Sequence, residues 1–386
     1  MPFKIHQNSI GHWAIRGVWA AATILFLLYI PTKGETGTIG DMTFALQLAI
    51  AAMALNLVMG FGGIISIGHS AYFGLGGYTT AVLVDHYDWT QGWTFYIAAV
   101  LGFVVGCATS LPALRLKGVY LALVTLGLAV LFPQLVKWKK ATWLTDGARG
   151  IDDIGYDDVP EWPILGELRR EEGRVVFMWW VTVIVLVLAY LACRGIVKSR
   201  IGRSLIAIRD NETAAAVMGV NTARTKTLVF GVSAAMCAVA GSLFAVSGKI
   251  ANPDLRLFTL VGSIIFLLVM VLGGAATLWG PIVGAIAYVV VETRTREAAA
   301  DGEGFIGWLF GWMSGSPAAL ILAIALLVMM FAAPFGIIGL LKRLAAKAVV
   351  IIPSPAGTGS NVPPVEDVEA PSIDEPFLPI TTGDSP

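Results

Sequence analysis

Long uncharged apolar runs constrain the fold of this sequence more than any other feature. Residues 94–111 and 175–192 contain no Asp, Glu, Lys or Arg. An apolar run of about 18 residues or more is long enough to cross a lipid bilayer as a helix. Charged residues make up only 13% of the chain, whereas a soluble domain has roughly 25%. The sequence therefore predicts an all-α, polytopic membrane protein.

Polar breaks divide the apolar regions into about ten predicted spans. Their approximate bounds are 14–30, 41–59, 63–84, 93–111, 119–136, 175–193, 227–247, 257–273, 279–292 and 317–334. Short loops set the orientation, because Lys and Arg resist translocation. Loop 112–118 carries base without acid and is expected in the cytoplasm, whereas loop 85–92 carries acid without base and is expected outside. Both termini are then expected in the cytoplasm.

The spans and their loops define a predicted transmembrane domain over residues 1–347. Within it, residues 137–174 are an expected extracytoplasmic loop, although three lysines at its start run against the orientation rule. Residues 194–226 are an expected cytoplasmic loop that is rich in Lys and Arg. Residues 348–386 are rich in Pro, Gly, Ser and acid, which predicts a disordered cytoplasmic tail.

Few ionisable side chains fall inside the predicted spans, and His69 is the only one well inside. Ion-coupled carriers place such groups in the membrane, so the energy for transport is expected from elsewhere. No P-loop exists to bind ATP, because the single Gly-Lys pair, at Gly248, is followed by Ile250. We therefore expect no enzyme, no cofactor and no metal site, and a net charge of zero gives no sign of nucleic-acid binding. A passive pore and a permease driven by a separate motor subunit both remain open.

The connector, defined as residues 199–226, is the best candidate for docking such a motor. Asp210 or Asn211 can cap a helix, Glu212 suits the positive end of its dipole, and Gly219 can end it. The pattern predicts a short helix between two spans. An ordinary solvated connector is the alternative reading.

Five stretches of this sequence resemble the permeases of branched-chain amino-acid ABC importers, of the LivM type. They occur in the order of that family and extend from Leu55 to Leu340. The stretches are NLVMGFGGIISIGHSAYFGLGGYT, LPALRLKGVYLALVTLGLA, IGRSLIAIRDNETAAAVMGVN, VMVLGGAATLWGPIVGA and PFGIIGL.

The resemblance implies a permease subunit of an ATP-driven importer in a bacterial cytoplasmic (inner) membrane. Its expected partners are a second related permease, two ABC ATPase subunits that use the ATP, and a periplasmic substrate-binding protein. The implied cargo is a branched-chain or similarly apolar amino acid; urea, short amides or a sugar, or a stand-alone channel or secondary carrier, are the alternatives. The residues implied to couple to the ATPase are Gly202, Arg203, Arg209, Asp210, Glu212, Ala215 and Gly219.

Candidates for the wall of a translocation path lie in the glycine-rich second and third spans. His69 and Ser70, between Gly68 and Gly74, either line the path or tie a histidine to backbone freed by the glycines. Asn56 either lines a pore or bonds a neighbouring helix. We also expect the glycine face of the third span to turn inward, because small residues allow close helix packing.

A second glycine cluster interrupts the apolar region near residue 277. The predicted turn contains Gly273, Gly274, Gly280 and Pro281. It is either a plain turn at the cytoplasmic face or irregular backbone at membrane depth, which is tolerated only when buried in protein or lining water. Pro281 suits the first turn of the helix that follows.

Overall fold

The computed structural model describes residues 3–6, 29–31, 35–115, 119–154, 170–301, 336–340 and 349–352. The predicted span 317–334 and nearly all of the span 14–30 lie outside the described residues. Residues 353–386 of the predicted tail lie outside them as well.

Helices dominate the described chain. They are α1 (Thr36–Leu55), α2 (His69–Tyr87), α3 (Gln91–Arg115), α4 (Val119–Val136), α5 (Thr142–Thr145), α6 (Arg170–Lys198), α7 (Arg200–Asp210), α8 (Glu212–Val217), α9 (Thr222–Gly248), α10 (Leu260–Gly273) and α11 (Gly280–Asp301). Four apolar segments are long enough to cross a membrane, namely Thr36–Phe61, Gln91–Leu111, Gly173–Lys198 and Thr222–Gly248. Shorter apolar helices cover Tyr120–Val136 and Leu260–Gly273. The predicted all-α membrane architecture is confirmed.

Helix α1 lies at the centre and packs against α6, α9, α10 and α11. Its inner stretch is rich in alanine, and these small side chains let neighbouring helices approach closely. Helix α9 packs on α2 and α3 as well as on α1. The apolar windows of α1 and α9 are 83% and 78% buried, against 28% for that of α3. α1 and α9 therefore form the core, and α3 lies on the periphery.

Short strands mark one end of the bundle, which we call the strand end. Strand β2 (Ile151–Asp152) pairs antiparallel with β3 (Ile250–Ala251), and Lys137 forms a 2.5 Å ion pair with Asp254. A 3₁₀ turn, Arg256–Phe258, follows. The two loops joined here were predicted on the same side of the membrane, as the pairing requires. The connector lies at the opposite end of α9, the connector end.

An ion-pair network at the strand end joins α11 to the 3₁₀ turn. Glu292 is 3% exposed and accepts hydrogen bonds from Arg256 at 2.6 Å and Arg296 at 2.9 Å. Burial disfavours the charge on Arg256, but the hydrogen bond to Glu292 and the electrostatic effects of Tyr288 and Glu292 together outweigh burial, so the pKa of Arg256 is raised. The buried carboxylate is therefore neutralised by two bases rather than left unpaired.

One sequence-based boundary needs correction. The third span was predicted from residue 63, but α2 begins at His69, and residues 63–68 are not helical. Gly63 has φ +64°, outside the helical region, so hydropathy alone mistook extended apolar chain for helix. Near the start of the predicted tail, β4 (Val349–Ile352) pairs in parallel with β1 (Phe3–His6); the disordered tail itself stays a prediction. Val349–Ile352 is entirely β-branched, which favours a strand.

Helix α10 is too short to cross a bilayer. Its 14 residues rise about 21 Å, whereas the hydrocarbon core is about 30 Å thick. The irregular segment Gly274–Trp279 that follows joins α10 to α11. We call this segment the inner turn.

Candidate functional site

The connector folds into two short helices with defined caps. Ser199 begins α7 by accepting from the backbone amides of Ile201 and Gly202. Asn211 begins α8 and accepts from Ala214 at 2.9 Å. The predicted helix between Glu212 and Gly219 is thereby confirmed, with Asn211 rather than Asp210 as its cap.

Gly219 ends α8 with the left-handed conformation that a helix terminus often needs. Its φ is +85°, and its amide donates to Ala216 while the amide of Val220 donates to Ala215. This pair of bonds is a Schellman motif, which satisfies the last carbonyls of the helix. Any side chain at residue 219 would strain the left-handed backbone.

A partly buried ion pair fastens α8 to α9. Lys226 is 6% exposed, and its Nζ lies 2.6 Å from Oε1 of Glu212. Ala215 is the buried residue of α8. Gly202 is also buried, where a Cβ would overlap the carbonyl oxygens of Ile196 and Val197. Three of the predicted coupling residues, Gly202, Glu212 and Ala215, therefore hold the connector together from within.

The other coupling candidates are exposed, and one of them touches the end of α1. Arg203, Arg209 and Asp210 are exposed, and Arg209 pairs with Asp210 at 3.3 Å. The stem of Arg209 lies on Gly63, and its guanidinium donates to the carbonyl of Gly60 at 3.5 Å. α7 therefore lies directly on the chain that follows α1, where Asn56–Phe61 form a π-helical turn.

Asn56 joins that π-helical turn to the inner turn. Its Nδ2 donates to the carbonyl of Thr277 at 2.8 Å, and its Oδ1 accepts from the amide of Ala276 at 2.9 Å. The carboxamide thus satisfies one donor and one acceptor of irregular backbone within the protein. This geometry corresponds to the interhelical hydrogen bond that was one of two readings. A pore role for Asn56 stays a prediction.

The glycines of the inner turn serve close backbone contacts. A Cβ on Gly273 would overlap the carbonyl of Gly280, and one on Gly280 would overlap that of Gly274. Gly336, in the later PFGIIGL stretch, packs against Gly274. A Cβ on Gly336 would lie 2.5 Å from the Cα of Gly274. Pro281 lies in the first turn of α11, as predicted. The inner turn is therefore enclosed by protein on two sides.

His69, at the start of α2, is bonded to two other segments through the two nitrogens of its ring. Nδ1 lies 3.2 Å from Oγ of Ser66, and Nε2 lies 2.8 Å from Oγ of Ser233 on α9. Ser233 donates its only hydroxyl hydrogen to the carbonyl of Ala54 at 2.6 Å. Its oxygen therefore accepts from Nε2–H, and Nδ1 forms the contact with Ser66. The imidazole is buried and both of its nitrogens are bonded, which is the structural reading of this residue; a place in the path stays a prediction.

Ser70 and the flanking glycines are likewise enclosed. The Ser70 amide donates to Oγ of Ser263 on α10 at 2.9 Å, and the Ser263 hydroxyl donates to Oγ of Ser70 at 2.8 Å. A Cβ on Gly68 would lie 2.5 Å from the carbonyl oxygen of Thr125, and one on Gly74 would overlap the ring of Phe132. Both contacts are to α4, so the prediction that this glycine face turns inward is confirmed.

Sequence reasoning missed the partners of these residues. Ser233, Ser263 and Lys226 each lie in or beside an apolar run without a local motif. Their one common signal is a polar side chain within or at the start of a predicted span, which usually faces a partner helix. That signal predicts that such residues are buried, but it does not predict which residues they contact.

The comparisons with known proteins agree with the fold and the motifs. Residues 37–333 match the family model described as "Branched-chain amino acid transport system / permease component". The chain belongs to this family. No solved structure matches the chain.

Three relatives of this family member illustrate the range of similarity. LivM of Escherichia coli, a "high-affinity branched-chain amino acid transport system permease protein", is 28% identical over 298 residues, 72% of this chain and 68% of that protein. LivH of E. coli, with the same description, is 24% identical over 274 residues, 65% and 82% of the two chains. A probable LivM of Methanocaldococcus jannaschii is 27% identical over 198 residues, 51% and 53% of the two chains.

Proposed function

We propose that this family member is the permease subunit of an ATP-driven importer of branched-chain amino acids in the bacterial cytoplasmic membrane. Its proposed partners are a second related permease, two ABC ATPases and a periplasmic binding protein. The connector end then faces the cytoplasm and the strand end faces the binding protein. Family membership and the printed roles of LivM and LivH support this assignment.

The observation that carries the proposal is the apolar tip of the connector. Val217 and Met218 are 82% and 83% exposed at the end of α8. Each lies on a short helix fastened by the Glu212–Lys226 ion pair and by buried Ala215. A rigid helix that presents an apolar pair suits a groove on a partner protein. Here the partner would be the ATPase.

A second set of contacts made by the connector would pass on a movement caused by this docking. Arg209 contacts Gly60 and Gly63, and Gly60 adjoins Ala276 of the inner turn, whose amide would lie 2.7 Å from a Cβ on Gly60. A displacement of α7 is therefore transmitted to the backbone between α10 and α11. Closure of the two ATPases would rock the permease between inward-facing and outward-facing states through these contacts.

Uptake by the reconstituted complex tests the proposal. The chain is assembled with its second permease and ATPases in proteoliposomes, and labelled leucine is supplied on its binding protein. We expect uptake that requires ATP, and we expect Met218→Asp to lower it at least tenfold without changing the apparent Tm. Thr213→Asp is the matched control: it adds the same charge in the first turn of α8, where an acid is favourable, and should leave uptake unchanged.

Two outcomes would contradict the proposal. Leucine uptake by the chain alone, without ATPase subunits, would indicate a channel or a secondary carrier. Unchanged uptake in Met218→Asp would remove the role of the apolar tip.

A further inference from the structure

A cavity of about 260 Å³ opens between α1, α6 and α9 at the strand end. Its lining includes Phe44, Gln47, Arg174, Met178, Phe244 and Ser247. Pockets for drug-sized ligands have volumes of roughly 300–1,000 Å³. This cavity therefore suits a smaller molecule.

The cavity wall combines an apolar surface with a few polar groups. Phe44, Met178 and Phe244 supply the apolar part. Gln47 is 1% exposed, and its Nε2 donates to Oγ of Ser247 at 3.0 Å. An amide oxygen has two lone pairs, so Oε1 of Gln47 retains acceptor capacity beside its single, 3.4 Å bond from Ser247.

Arg174 supplies the positive charge of the cavity. Its Nε is buried and has no hydrogen-bond partner among the residues that the structure describes. A buried donor without a partner is costly, and a guanidinium binds a carboxylate through two parallel hydrogen bonds. Arg174 lines the cavity, so its guanidinium offers such a pairing to a carboxylate bound there.

We propose that this cavity binds a free aliphatic amino acid on its way into the membrane domain. The carboxylate pairs with Arg174, the ammonium group donates to Oε1 of Gln47, and the aliphatic side chain contacts Phe44, Met178 and Phe244. This inference rests on the proposed function, to which it adds a binding site in the permease itself.

The position of the cavity favours a solute over a lipid. Two of its three walls come from α1 and α9, the most enclosed of the long apolar helices described. The peripheral helix α3, which is the least buried of the four long apolar helices, does not line it. The cavity also lies at the strand end, where the binding protein is proposed to release its cargo.

Glycines on α1 allow a matched test of the cavity. Gly40 lines the cavity, and a Cβ on Gly40 would have no atom within 4 Å. A Cβ on Gly37, about one turn earlier, would also have no atom within 4 Å, but Gly37 does not line the cavity. Gly40→Leu should place a side chain in the cavity, and Gly37→Leu is the control. Leucine has a higher helix propensity than glycine, so neither change should disrupt α1.

Binding is measured on the whole complex in nanodiscs, without binding protein, by saturation-transfer NMR with L-leucine and L-leucinamide as probes. We expect leucine binding to be retained in Gly37→Leu and at least tenfold weaker in Gly40→Leu. L-Leucinamide, which has no carboxylate, should bind more weakly than leucine to the wild type. Arg174→Gln should remove this difference.

The outcomes distinguish a failure of the cavity proposal from a failure of the proposed function. If ATP-driven leucine uptake is present but Gly40→Leu binds and transports leucine like the wild type, the cavity proposal is overturned and the function stands. A phospholipid that co-purifies with the wild type but not with Gly40→Leu, together with no leucine binding, would also overturn it. Absence of ATP-driven uptake in the wild type would instead refute the proposed function.

Discussion

Asn56 and Thr277 lie 221 residues apart, and a 2.8 Å hydrogen bond joins the carboxamide of the first to the carbonyl of the second. The same carboxamide accepts from the neighbouring amide of Ala276. One side chain thus replaces, for the inner turn, the backbone partners that a continuous helix would have supplied.

Two substitutions that disrupt this carboxamide should each destabilise the protein. Asn56→Leu leaves both backbone groups unpaired, at a cost of about 1–3 kcal/mol for each group. Asn56→Asp keeps the acceptor for Ala276 but loses the donor to Thr277. We expect the apparent Tm in nanodiscs to fall for both variants. An Asn56→Leu protein as stable as the wild type would show that the inner turn does not need these bonds.

The bond between His69 and Ser233 predicts a strong energetic coupling. In a double-mutant cycle with His69→Ala and Ser233→Ala, the two losses of stability should be non-additive by about 0.5–3 kcal/mol. Denaturation of the purified protein measures this term, and leucine uptake is followed alongside. An additive cycle, or loss of uptake with full stability in His69→Ala, would favour a role for the imidazole in the path.

The packing of α2 on α9 predicts opposite effects for two Gly→Ala changes. A Cβ on Gly76 would overlap the carbonyl of Ala238, which is backbone and cannot rotate away, so Gly76→Ala should be strongly destabilising. Gly127 on α4 has no atom within 4 Å of that position. Gly127→Ala should be neutral or stabilising by up to about 1 kcal/mol. Equal apparent Tm values for the two variants would contradict the close helix approach.

The ion pair between Glu212 and Lys226 predicts that a charge swap rescues a single reversal. Glu212→Lys places two positive charges together and should release α8 from α9, which lowers ATPase-coupled uptake. Adding Lys226→Glu restores the attraction and should recover most of the uptake if Glu212 positions the connector from within. A swap variant that folds but stays inactive would mean instead that Glu212 itself contacts the partner.

Local signals in the sequence explain which features were predictable. The ends of α8 follow from Asn211 and Gly219, since capping depends on residues within one turn. The bundle of long helices follows from apolar runs alone. By contrast, the start of α2 at His69 was missed, because an extended apolar segment has the same hydropathy as a helical one.

Long-range pairs explain the rest. Nothing beside Asn56 in the sequence points to residue 277, and nothing beside His69 points to Ser233. Tertiary packing selects these partners, and a single sequence contains only the observation that each is polar in an apolar setting. The same holds for the cavity, whose lining comes from three separate helices.

The double contact of Gly60 has a consequence for the time course of transport. Its carbonyl faces Arg209 of the connector and its α-carbon faces Ala276 of the inner turn. No flexible side chain of residue 60 lies between the two contacts to absorb a displacement before it is passed on. The movement of the connector and that of the inner turn should therefore share one rate constant, with no resolvable delay between probes placed at the two positions.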